Sequence, residues 1–186
     1  MIPIMSLWLP IVLSAVLVFL ASALVWMALP HHKTDWKGLP NEEAARSALK
    51  GVARGLYAVP FAAGMDLSKD PSVAKKFEEG PVAHITVMPA GPIRMGGMLV
   101  RSFLFYLAVC VGVAYVTGRT LDHTADYLAV FRVAGTTAWF AFGLGVIPDS
   151  IWFGRPWSST VKHLADSLLY ALLVGGVFGW RWPDMM

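Results

Sequence analysis

The sequence predicts an all-α integral membrane protein, built as a four-transmembrane-helix bundle. Three observations predict it. Four apolar runs, at residues 7–29, 98–117, 127–147 and 164–182, each reach about the 20 residues that a helix needs to cross a hydrocarbon core. Composition agrees: 56% of residues are hydrophobic, 15% are charged and the mean hydropathy is +0.59, whereas a soluble domain carries roughly a quarter charged residues. Tryptophans gather at run ends, with Trp8 and Trp26 on the first and Trp180 and Trp182 on the last, as interfacial aromatic belts require. At 186 residues the chain reads as a single membrane domain, with an extramembrane connection of about 65 residues between the first two spans.

The first run reads as a permanent helix and not as a signal peptide. No Lys or Arg precedes it, and it exceeds the apolar core of a leader. Pro30 blocks its continuation, and His31-His32-Lys33 marks the exit into headgroups and water. The connection, residues 30–97, holds nine of the fifteen basic residues and seven of the twelve acidic ones. That mixture suits a solvated, folded segment. Within it, Asn41 followed by Glu42 and Glu43 starts a helix, with a side-chain cap and first-turn acids that complement the helix dipole. Ala45, Ala48, Leu49, Val52 and Leu56 continue it at helical spacing, although Gly51 and Gly55 weaken it. Residues 56–63 are apolar but too short to span. Asp70-Pro71 and Gly80 bracket a second short helix, and residues 82–88 alternate like a lone strand. Residues 118–126 and 148–163 join the later runs, and such short connections make neighbouring helices antiparallel.

Basic residues set the orientation. The side of the 30–97 connection and the 148–163 loop also carries Arg155 and Lys162, while the other side carries Arg119 and, at the border, Arg181. The positive-inside rule places the connection in the cytoplasm of a plasma or bacterial inner membrane, with both termini outside. The net charge of +3 gives no reason to expect nucleic acid.

Chemistry-bearing residues are few. Cys110 is the only cysteine and lies in an apolar run, so neither an intrachain disulfide nor a cysteine-based zinc or iron–sulfur set is available. No H-E-x-x-H, G-x-S-x-G or P-loop motif occurs. Arg101, Asp149, Lys162, His163 and Asp166 fall in one layer at the basic face. Within it Arg101, Asp149 and Asp166 are expected to form a structural ion-pair layer clamping the helices. Arg101 and Arg132 are shallow enough to snorkel to the interface. His31, His32 and His163 are the candidate haem ligands. Met65, Met88, Met95 and Met98 with His84 are the candidate copper set. None of these histidines sits within a span, where a membrane haem wants its ligands, and the methionines lack tight spacing, so no cofactor and no metal is expected. Ala171, Gly175 and Gly179 form a small-residue face on the last run, echoed by Ala108 and Gly112 on the second. Such faces let helix backbones approach, either within the chain or onto another membrane subunit.

The leading expectation is a non-enzymatic accessory or assembly subunit of a larger membrane complex, docking through the 171–175–179 face onto other integral membrane subunits. The alternatives are a small oligomeric transporter or channel lined by Asp166, Arg101 and Arg132, and a haem- or copper-binding redox protein.

Overall fold

The computed structural model describes residues 1–62 and 71–183. The chain divides into two compact units: Met1–Trp36 with Arg94–Met186, and Lys37–Ile93. The sequence-based connection therefore loses residues 30–36 and 94–97 to the membrane unit.

Among the described residues, four helical stretches are long and apolar enough to span a membrane. The first, Ile4–Met27, is a 3-10 turn leading into α1 (Trp8–Met27). In the connection come α2 (Glu42–Ala48), β1 (Gly55–Val59), α3 (Pro71–Glu79) and β2 (Ala83–Val87). The second stretch is α4 (Met95–Thr120). The third, Tyr127–Trp152, comprises α5 (Tyr127–Gly143), a 3-10 turn and α6 (Ile147–Trp152). The fourth is α7 (Trp157–Trp180).

Two expectations about the spans are corrected. The loop expected over 148–163 contracts to the few residues between α6 and α7. Pro148 does not end the third span, because it falls in the first turn of α6, where no intrahelical N–H is missed. Gly154, at φ +70°, supplies the left-handed turn. Likewise α7 begins at Trp157 and not at 164. Its first two turns are polar but contain no helix breaker, so helix and apolar run do not coincide.

Within the membrane unit α1 packs on α4 and α7, and α5 packs on α4 and α7. Leu7, Ile11, Ala15, Val18, Ser22 and Val25 supply the buried stripe of the first stretch at three- and four-residue steps. Val130, Ala134, Ala138 and Phe142 do so for α5, and Ala171, Val174 and Phe178 for α7. The closest approach is between α5 and α7. A Cβ on Gly175 would lie 2.9 Å from the Phe131 carbonyl oxygen, and one on Gly179 would lie 2.7 Å from the Tyr127 ring. Tyr127/Gly179, Phe131/Gly175 and Gly135/Ala171 thus meet at four-residue steps on both helices, as an antiparallel pair requires.

In the Lys37–Ile93 unit, Asn41 caps α2 by accepting the Ala44 N–H at 3.0 Å. The helix stops well short of Leu56, and Gly51 follows at φ +81°. Gly80, at φ +64°, follows α3; the expected cap, Asp70, lies outside the described residues. The all-α expectation is corrected here. Residues 55–59 form a strand that pairs antiparallel with 83–87, placing Tyr57 opposite Ile85 and Ala58 opposite His84. The β-branched run Ile85-Thr86-Val87 suits a pleated surface, so the second strand is not alone. No described residue of this unit is buried.

Candidate functional site: a histidine–aspartate clasp

Chain direction builds the site. α1 ends at Met27 and the next residues turn in a short 3-10 segment, Pro30–His32, that aims two adjacent imidazoles at α7. On α7, Lys162 and Asp166 are four residues apart and so share a face. Asp166 lies nine residues into the helix, about 13 Å along its axis, level with the end of α1.

Asp166 receives both histidines. His31 Nε2 is 3.0 Å from Asp166 Oδ1, and His32 Nε2 is 2.6 Å from Oδ2. The other nitrogen of His32 donates to Asp35 Oδ2 at 2.7 Å. Lys162 Nζ then donates to Asp35 Oδ1 at 2.7 Å, to Thr34 Oγ1 at 2.9 Å and to the His31 carbonyl. An ammonium has three protons, and all three are used. The Trp26 indole lies flat on His32, with ring centroids 3.9 Å apart and planes 3° from parallel. His32 and Asp166 are buried and His31 is half-buried. Two α7 side chains therefore fasten the strap of residues 31–35.

The strap sets the acidity of Asp35. The His32 hydrogen bond, followed by that of Lys162, lowers its carboxyl from 3.8 to about 2. A depressed folded-state value stabilises the fold fully above the ordinary carboxylate value. That contribution disappears as pH falls from about 4 toward about 2.

The ion-pair layer expected from the sequence is not assembled. Asp166 is taken by His31 and His32, and Asp149 lies 3.8 Å from Arg155. Arg101 is exposed and takes part in no ion pair among the described residues. Alternation had put Arg101 at the right level, but the face it occupies on α4 points elsewhere. Arg132 is also exposed, in an open groove between α5 and α7 lined by Phe131, Thr136 and Trp139. The three residues proposed to line a transport path are therefore not brought together.

The face of Ala171, Gly175 and Gly179 that was expected to dock packs inside the chain. That face is filled from within the chain by Tyr127, Phe131 and Gly135. On α4, by contrast, a Cβ on Gly112 would meet nothing within 4 Å.

Of the three candidate haem histidines, His31 and His32 come together, but their ring centroids are 4.2 Å apart, which leaves no room for a porphyrin between them. His163, partly buried on α7, is not among the ligand atoms gathered with them. In the copper set, Met65 lies outside the described residues, Met88 and His84 belong to the Lys37–Ile93 unit, and Met95 and Met98 are exposed on α4.

Asp35 was not singled out in the sequence, although its spacing held a signal. The pattern His31-His32-x-x-Asp35 at the exit of one helix faces Lys162-x-x-x-Asp166 at the start of another. Opposed charges at helical spacing are brought level by an antiparallel pair. No protein-family model, curated protein or solved structure matches this chain.

Proposed function

We propose that this protein is a non-enzymatic accessory subunit of a larger membrane complex, and that it holds its Lys37–Ile93 unit ready for a protein partner. In this reading the four long helices form a transmembrane bundle, the unit is cytoplasmic and both termini are outside. The clasp fixes residues 31–35, immediately before the unit begins.

One observation carries the reading. The unit has no buried residue among those described, yet Leu56, Phe61 and Met88 are each more than 70% exposed. A two-stranded sheet alone is marginal in water and needs a third strand or a packed helix. Free strand edges beside apolar side chains are the surface that an extended segment of another protein adds to. Docking is thus assigned to this two-stranded sheet and not to the α7 glycines.

A photo-crosslinking side chain at Phe61, in native membranes, tests this. The expected product is one protein adduct of defined mass, absent when the crosslinker replaces Leu20 on the outer face of α1. Lipid adducts alone, or a chain that purifies as a stable monomer without adducts, would overturn the accessory reading.

A further inference from the structure

We propose that His31, His32 and Asp166 bind one divalent transition-metal ion of the zinc class. Their ligand atoms, one from each residue, all lie within 4.8 Å of one another. Two imidazoles and one carboxylate suit zinc and its first-row neighbours. They do not suit calcium or magnesium, which want oxygen ligands, or copper(I), which wants sulfur.

The surroundings are those of a metal-bound histidine. Such a ring ordinarily donates its other N–H to a carboxylate, which fixes its tautomer and raises its basicity. His32 does this toward Asp35, and Lys162 holds Asp35 in place. Stacked Trp26 fixes the ring plane. With the Nδ1 proton committed to Asp35, a neutral His32 turns the Nε2 lone pair toward Asp166 Oδ2 at 2.6 Å. Two lone pairs at that distance repel, so a proton or a cation must lie between them. One metal ion bound by both rings and the carboxylate satisfies the His32 and His31 contacts together.

The fit needs little movement. Zinc lies about 2.0–2.2 Å from nitrogen and oxygen ligands, so tetrahedral ligand atoms are about 3.3 Å apart. The two N···O distances are 2.6 and 3.0 Å, so openings of about 0.7 and about 0.3 Å bring both to that separation. His31, with 32% of its side chain exposed, can give way and leaves a fourth position for water. This site stands apart from the accessory reading: the ion can bind whether or not the two-stranded sheet has a partner.

The test is zinc itself, titrated into the full chain purified without a polyhistidine tag and stripped with a chelator. One zinc ion per chain is expected by elemental analysis and calorimetry, and cobalt(II) in its place should give a visible d–d band. Asp166→Asn should abolish binding yet keep the clasp, because the Asn carbonyl can accept from His31 and its amide can donate to His32. Half-buried His31→Gln gives the same readout if Asp166→Asn aggregates. Asp35→Asn should weaken binding about 10–100-fold, and His84→Gln should leave it unchanged. No zinc on the wild-type chain, or equal binding by wild type, Asp166→Asn and His31→Gln, would overturn the proposal.

Discussion

Replacing Asp166 with alanine is expected to lower the stability of the detergent-solubilised chain by several kcal/mol. The carboxylate is 9% exposed and lies within 3.0 Å of two imidazole nitrogens, one of them on a ring that is 5% exposed. Deleting one partner of a buried charged pair costs about 3–5 kcal/mol, because the other partner is left desolvated and unmatched. The lower end applies here, since half-exposed His31 can turn to water while His32 keeps Asp35. Thermal or denaturant unfolding followed by circular dichroism measures the loss. Asp166→Asn, which retains one acceptor and gains one donor, should lose much less. The contrast between the two variants separates a hydrogen-bonded clasp from a carboxylate that merely happens to lie nearby.

The second large effect is expected where α5 crosses α7. In Gly175→Ala the new methyl would meet the Phe131 carbonyl at 2.9 Å and the Gly135 Cα at 3.3 Å. Both neighbours are backbone, so neither can swing aside and the helices must separate. Overpacking of this kind costs about 1–3 kcal/mol. Between apolar spans there is no hydrophobic force to draw the helices back together, and close packing is what holds them. Gly112→Ala in α4 is the matched control, because its methyl would enter open space. It should leave stability unchanged or slightly raised, alanine being the better helix former. Equal losses from the two substitutions would place the α5–α7 contact elsewhere.

The spans were legible in the sequence because apolar length is a property of contiguous residues. Asn41 and Gly80 marked helix ends by local chemistry that needs no tertiary partner. What escaped depended on partners far apart in the chain. Residues 56–63 read only as an apolar stretch too short to span, until β2, about 25 residues later, supplied a ladder for 55–59. The small residues of α7 announced a close approach without saying whether the partner helix was α5 or another protein. Level and face are separate coordinates on a helix. Counting residues from the span ends placed Arg101 and Asp166 at one height, but height alone does not make a pair. Asp166 instead found His31 and His32, which stand directly beyond the end of α1.

The clasp is tested most directly by a double-mutant cycle between His32→Ala and Asp166→Ala, read as unfolding free energies in one detergent. Residues in one buried network couple by about 0.5–3 kcal/mol. With a 2.6 Å contact between them, the upper part of that range is expected, the double variant losing much less than the two single losses combined. Losses that add to within about 0.5 kcal/mol would mean that His32 and Asp166 do not hold each other, and the strap would then not be fastened to α7.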